Sequence, residues 1–352
     1  SLERFLQTYN CVITYDNFSN VNGKDFILSP LVCQTMNYNE IAEVRPDLVI
    51  TYGTKVYSDI MKCVFGKDIE HWDINPEGRL YDSTKSLINI FEYQPCTFFK
   101  SVVTNSHKND FEYLRTWKKI CAIRNNKVSI YSNYYVAKNI IDSAPDGTLI
   151  HASVLNSMKF TNYCELKSNI EAFGNISADG IDGALSTFLG QAEGRNNLSL
   201  LIIGDLSFLY DLNAFKNCKS PNIRILLINN NAGAEFHYNI SKKRIDTLDW
   251  HIAAAHHSIL KDVMPLSEVK YLSASNEVEL NNVKEEFYKE STCPVVLEVF
   301  TNANDDGENL RQFLNSNQIL TRRARMSRII TRCFGKTFMD FLKKHLDGFR
   351  KN

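Results

Sequence analysis

Two residues at the ends of apolar runs are placed to do chemistry. Asp205 closes the run SLLIIGD (Ser199–Asp205), and Asn230 closes IRILLINN (Ile223–Asn230). Both runs are continuous and rich in β-branched residues, as strands buried on both faces of a parallel sheet are. The 25 positions from Asp205 to Asn230 hold one crossover helix and one strand. Adjacent parallel strands then present a carboxylate and an amide at their carboxyl ends, where open α/β sheets bind ligands. With a backbone carbonyl nearby, these groups make a hard-oxygen site for Mg²⁺ or Ca²⁺ that leaves room for water and phosphate oxygens. The N–H groups of Leu206 and Ser207 open a helix and can receive phosphate. Gly233 lets the backbone approach closely. The implied device is a metal–diphosphate cradle. The Gly180-Ile181-Asp182-Gly183 turn before an Ala/Ser/Thr helix strengthens it. A helix cap at Asp205 and a plain turn at Asn229–Asn231 are the competing readings.

Other polar residues carry less. His251, His256 and His257 fall in an Ala-rich stretch read as helix, at spacings that do not share one face, and are expected to be surface or core histidines. Asp182 reads as a cap, Asp179 as able to reach the pocket, and Ser157 as a cap or a site residue.

The elements around these residues alternate. Further strand-like runs are Cys11–Tyr15, Asp47–Gly53, Gly147–Val154, Val269–Ser273 and Pro294–Phe300. Helical patterns fall at Lys55–Val64, Leu155–Cys164, Asp182–Ala192, Phe208–Cys218, Leu248–Leu260 and Glu277–Glu290. Such alternation implies right-handed crossovers and α/β architecture, with two three-layer α/β/α domains and mostly parallel sheets. The expected division is 1–105, a central Rossmann-like domain truncated at its start; 106–130, a linker helix; 131–305, the diphosphate-binding domain; and 306–352, a basic helical extension.

Composition limits the alternatives. The chain has 352 residues, 44% hydrophobic and 23% charged, enough for two globular domains. Lys+Arg and Asp+Glu are both 40, so no overall basic field for nucleic acid exists. Yet residues 321–352 hold ten Lys/Arg against two Asp, with apolar residues at helical spacing. That tail reads as a helix packed on its own domain, ahead of a membrane-surface or partner role. No apolar run approaches the ~20 residues that span a bilayer. Nine dispersed cysteines without a CxxC pair point to reduced thiols in a cytoplasmic setting. The opening Ser-Leu lacks a Met, and a fragment is expected.

The strings SADGIDGALST, IGDLSFLYDLNA and INNNAGAEF resemble the diphosphate-binding domain of thiamine-diphosphate-dependent enzymes. The likeness is greatest to the 2-succinyl-5-enolpyruvyl-6-hydroxy-3-cyclohexene-1-carboxylate (SEPHCHC) synthase family of menaquinone biosynthesis. RPDLVITYG and DINPEGRLYDST resemble that family's central domain, so the likeness covers most of Asn10–Asn302. It implies thiamine diphosphate and Mg²⁺ as cofactors, and decarboxylation of a 2-oxo acid with transfer to an acceptor. It also implies a homodimer or homotetramer, and a pyrimidine-binding domain, in cis or in trans, that supplies the glutamate this chain lacks. Asp205, Asn230 and the Ala232 carbonyl match the metal ligands. Leu206, Ser207 and Ser157 match diphosphate contacts, Gly180 and Gly233 are expected among the cofactor-binding residues, and Ile181 matches the wedge that bends the cofactor. Ser157, Lys159 and Asn175 are the substrate-side candidates. Thr161 and Ile176 stand where the family has arginines for substrate carboxylates, and Thr or Ile cannot make the bidentate contact. Glu235 replaces an apolar pocket residue. These departures imply three alternatives to the synthase reaction: a non-catalytic homologue, a structural one, or a 2-oxo acid decarboxylase of different substrate.

Overall fold

The computed structural model describes residues 1–53, 60, 63–64, 66, 68–82, 84–103, 109–175, 180–239, 245, 247–263 and 268–319. The 321–352 tail, Ile176 and Asp179 lie outside them, as does most of the helix expected at Lys55–Val64.

The amino-terminal part opens with α1 (Leu2–Thr8), β1 (Thr14–Tyr15), β2 (Ile27–Leu28), α2 (Pro30–Thr35) and α3 (Tyr38–Glu43). It continues with β3 (Leu48–Tyr52), β4 (Glu70–Ile74), β5 (Leu87–Phe91), α4 (Pro95–Val102) and α5 (Glu112–Cys121). Strands β1 and β2 pair in parallel, and β3, β4 and β5 form a second parallel sheet in that order. The helix α3 is held by a capping box, Asn37 receiving the Glu40 N–H while Glu40 receives that of Asn37. Helix α5, read as a connector, buries Leu114, Trp117 and Ile120 in the same core as Val32, Val44 and Cys63. Its apolar side chains recur at three-residue steps, so one face packs while the lysines stay outside.

The second part holds α6 (Asn133–Asp142), β6 (Leu149–Ala152), α7 (Asn156–Tyr163), β7 (Glu171–Gly174), α8 (Ala184–Ala192), β8 (Ser199–Gly204), α9 (Asp205–Tyr210) and β9 (Ile223–Asn229). Then come α10 (Ala234–Asn239), α11 (Leu248–His251), α12 (Leu260–Val263), β10 (Lys270–Ala274), α13 (Glu277–Tyr288), β11 (Val295–Phe300) and α14 (Ala303–Ser316). The strands make one parallel sheet in the order β7-β6-β8-β9-β11-β10. Their side chains alternate between two cores. Leu200, Ile202, Leu226 and Ile228 face α6, α7, α13 and α14, whereas Leu201, Ile203, Ile225 and Leu227 face α8 and α9. This is the expected α/β class with parallel sheets and helices on both faces.

The strand order reverses between β6 and β8. Helix α7, which follows β6, packs on one face; α9, which follows β8, packs on the other. The two chains leaving the sheet diverge there and open a crevice at its carboxyl edge, with Asp205 on its wall.

Three local readings need correction. The stretch 208–218 is not one helix: α9 begins at Asp205, and a 3₁₀ turn covers Leu212–Asn217. The Ala- and His-rich 248–260 stretch is helical only at α11 and from Leu260, because its middle is bound to the asparagine loop. Ala253 O accepts Gly233 N–H at 2.7 Å, and His256 N–H donates to Asn231 O at 2.9 Å. Strands β2, β4, β5 and β7 were not read from the sequence; β4 and β5 are interrupted by polar residues, and β2 is two residues long. Residues 306–316, within the expected helical extension, lie in α14, which buries Leu310, Phe313 and Leu314 against the large sheet.

Candidate metal–diphosphate site

Asp205 and Asn230 come together because β8 and β9 are neighbours in register, Gly204 opposite Ile228. Asp205 is 5% exposed. Its Oδ2 accepts the Asn230 and Asn231 N–H groups at 3.0 and 2.7 Å, and its Oδ1 accepts the Leu206 N–H at 2.7 Å. One carboxylate oxygen is thus committed to the asparagine loop, while the other is met only by the next residue's amide among the described contacts. The Ala232 N–H reaches Asn230 Oδ1 at 3.3 Å, which folds the loop back on itself and leaves Ala232 6% exposed. A Cβ on Gly233 would lie 2.9 Å from the Phe236 ring, so a larger residue there would displace it.

The Gly180 turn reaches the same place. Ser207 donates its hydroxyl to the Ile181 carbonyl, tying the half-buried Ile181 to the first turn of α9. Ser186 is bound by Asp211, through its N–H and its hydroxyl, so α8 is fastened to the end of α9. Asp182 is exposed at the head of α8, where Gly183 with φ 75° occupies the capping position.

The chain between β6 and α7 carries the other candidates. Leu155 sits at φ 62°, a left-handed conformation costly for a branched side chain. Asn231 (φ 65°) and Ala254 (φ 48°) share it, and strained backbone of this kind gathers at functional loops. Ser157 is buried, and its Oγ accepts the Ser153 hydroxyl at 3.1 Å. Thr161 is fully buried with its hydroxyl on Ser157 O, and presents nothing to a ligand. Asn175 lies between His151 Nε2, 2.6 Å from its Oδ1, and the Thr187 hydroxyl. Lys159 is paired. Its Nζ lies 3.0 and 2.9 Å from the two Glu235 oxygens, with side chains 11% and 14% exposed, and 5.1 Å from the Tyr238 ring centre. The carboxylate that Glu235 brings into the pocket is therefore balanced by Lys159.

Two residues here were not read from the sequence as site residues. His256, expected as an ordinary histidine, has Nε2 3.3 Å from Asp205 Oδ2. Its Nδ1 accepts the Ser258 N–H at 3.0 Å, which assigns the neutral ring's proton to Nε2, on the Asp205 side. Nε2 makes no hydrogen bond of good geometry among the described residues. Asp306, 1% exposed on α14, accepts the Asn230 side-chain amide at 3.2 Å, the Thr301 hydroxyl at 2.7 Å and the Asn133 N–H at 2.8 Å. Burial pushes its carboxyl up to about 6, which the three donors oppose. The reach of Asp306 across 76 positions to Asn230 was not legible in the sequence.

The donor set fits a hard divalent cation. It offers one carboxylate, one amide oxygen and one carbonyl, with no sulfur. Among the described residues, no group of three His, Cys, Asp or Glu offers a competing metal cluster.

The chain matches no protein-family model. It is similar to proteins named 2-succinyl-5-enolpyruvyl-6-hydroxy-3-cyclohexene-1-carboxylate synthase. That of Flavobacterium johnsoniae is 28% identical over 322 residues, 89% of this chain and 58% of the relative. That of Bacteroides thetaiotaomicron is 30% identical over 283 residues, 79% and 51%. That of Bacteroides fragilis is 30% identical over 274 residues, 76% and 49%. This chain is SEPHCHC-synthase-like. It spans about half the length of these curated relatives. In this SEPHCHC-synthase-like chain the Asp205–Asn230 pair is built into the sheet edge, whereas Thr161 is turned into its helix and Lys159 is held by Glu235. No described helix is long and apolar enough to cross a membrane.

Proposed function

We propose that this SEPHCHC-synthase-like chain is the diphosphate-binding half of a thiamine-diphosphate- and Mg²⁺-dependent enzyme of menaquinone biosynthesis, working in the cytoplasm. Its reaction is decarboxylation of a 2-oxo acid and transfer of the remaining unit to an acceptor. The observation that carries this reading is Asp205 locked by its Oδ2 to the loop of Asn230 at the ends of two adjacent parallel strands. Asp205 Oδ1, Asn230 Oδ1 and the Ala232 carbonyl would hold Mg²⁺. Leu206, Ser207, Ser157, Gly180 and Gly233 would line the diphosphate, and Ile181, secured by Ser207, would bend the cofactor. When bound, thiamine diphosphate supplies the electron sink for decarboxylation. The protein's part is to hold it in one conformation and keep water from the reacting face. Asn175, oriented by His151, and Ser157 are the neutral hydrogen-bonding groups for substrate. The pyrimidine-binding domain, in the same polypeptide or on a partner chain of a homodimer or homotetramer, would complete the site.

The Lys159–Glu235 pair favours a second reading: the same cofactor acting on a 2-oxo acid without a further carboxylate, because the pair as a whole offers an anion no net charge. Calorimetric titration with thiamine diphosphate, with and without Mg²⁺, tests the cradle. Metal-dependent binding abolished by Asp205→Ala is the expected result. Absence of binding in the full-length protein would leave a structural, non-catalytic homologue.

A further inference from the structure

We infer that Asp306 is a positioning residue that sets which end of the Asn230 side chain faces the metal. The inference rests on the cradle reading above. An asparagine amide is ambiguous: its oxygen can ligate a hard cation, but its NH₂ group repels one. Within the loop the Ala232 N–H, 3.3 Å from Oδ1, is a long contact that favours this orientation only weakly. Asp306 makes the choice decisive. A carboxylate accepts only, so the NH₂ end of Asn230 must turn to Asp306 Oδ2, 3.2 Å away. The oxygen end then turns to the loop, where it meets the Ala232 N–H.

The lever is itself fixed. Asp306 is anchored by Thr301 at the end of β11 and by the Asn133 N–H at the head of α6. Helix α14 lies close enough to α10 that a Cβ on Gly307 would be 2.9 Å from the His237 and Tyr238 backbone. Arg311 fastens the two helices again, donating to the carbonyls of His237 and Tyr238. Asp306 is thus held by two elements outside the cradle, its Oδ1 by Asn133 and its Oδ2 by Thr301, and that same Oδ2 selects the rotamer of a ligand inside it. Outer groups of this kind orient metal ligands and tune their affinity.

The test is the affinity of the chain for the Mn²⁺ complex of inorganic diphosphate, read by water-proton relaxation. Asp306→Asn keeps the shape but places an NH₂ group against Asn230, which must then turn its oxygen inward. Affinity is expected to fall about 10–100-fold. The swap Asn230→Asp with Asp306→Asn restores the hydrogen bond with its direction reversed and returns an oxygen to the metal. It is expected to recover to within about threefold of the parent chain, an interaction that independent sites would not show. Leu310→Val, on the core face of the same helix and with a side chain that makes no hydrogen bond to Asp306 or the cradle, is expected to lower the urea midpoint while leaving affinity unchanged. An Asp306→Asn chain that binds like the parent, or a swap that binds no better than Asp306→Asn, would overturn the inference while Asp205→Ala still abolishes binding. Parent-level binding by Asp205→Ala would overturn the cradle itself, and this inference with it.

Discussion

Strands β3 and β8 look alike in sequence and behave differently in the fold. LVITY in one and SLLIIG in the other are continuous apolar runs ending at a glycine or beside one. In β8, Leu200, Leu201, Ile202 and Ile203 are all fully buried, lying between β6 and β9 with helices above and below. In β3 every residue from Leu48 to Tyr52 is half-buried, because the strand is the edge of a three-stranded sheet. A groove of about 610 Å³ runs along it, lined by Leu48–Ile50, by Val12–Thr14 and by Phe98 and Phe99. The difference teaches that a strand's apolar run reports the capacity for burial, while its neighbours decide whether that capacity is used. It also locates function. A sheet covered on both faces exposes its carboxyl edge, and the candidate ligands stand on that edge.

The largest effect that sharpens this contrast is a cavity. Leu226→Ala, in the fully buried β9, is expected to lower stability by about 2–5 kcal/mol in urea unfolding. Ile88→Ala, in β5 and 63% exposed, should stay within about 0.5 kcal/mol. Equal losses would break the comparison. Charge pairs should divide in the same way. Glu235→Ala strands the enclosed Lys159 and is expected to cost about 3 kcal/mol. Asp68→Ala, whose partner Arg45 is 49% exposed, should cost less than about 1 kcal/mol in the same assay.

A pH profile gives a third test. The Asp306 carboxyl sits at about 6 against an ordinary 3.8, so the native state holds that proton more tightly than the unfolded state. Its contribution to stability is present in full below the ordinary value and is lost as pH rises through the native one. Between about pH 4 and pH 7 the parent chain should lose on the order of 2–3 kcal/mol that the Asp306→Asn chain does not lose. Parallel profiles would remove Asp306 as the cause. The smallest effect is one of rate. Cys96 is exposed, and hydrogen bonds from Ser1 and Lys100 lower its thiol. Burial pushes Cys164 and Cys218 up to about 12. Alkylation followed by peptide mass spectrometry should modify Cys96 first and those two last.

Legibility followed the range of the interactions. Strands β6, β8, β9 and β11 of the large sheet were readable because burial on both faces demands unbroken apolar runs, whereas its short edge strand β7 was not. The crevice was readable because two such runs ended in Asp205 and Asn230 at one crossover's distance. The sequence 248–260 misled for the opposite reason. Its alanines favour helix locally, yet the Asn231 carbonyl and the Gly233 amide recruit its backbone instead. His256 consequently faces Asp205 from a loop, where helical spacing has no meaning. Asp306 was hidden differently, since nothing near it in the chain mentions Asn230.

By itself the sequence determined the residue types: a carboxylate, two flanking amides and a small-residue turn at the ends of apolar runs, which specify hard-oxygen chemistry at an α/β sheet edge. The tertiary structure alone decided their states. It set β8 beside β9, turned Thr161 inward, neutralised Lys159 with Glu235 and aimed the Asn230 amide with Asp306. Side-chain identity is a local property, whereas the rotamer, charge balance and burial of a polar group depend on partners many residues away. Only the packed sheet and its helices bring those partners within hydrogen-bond reach.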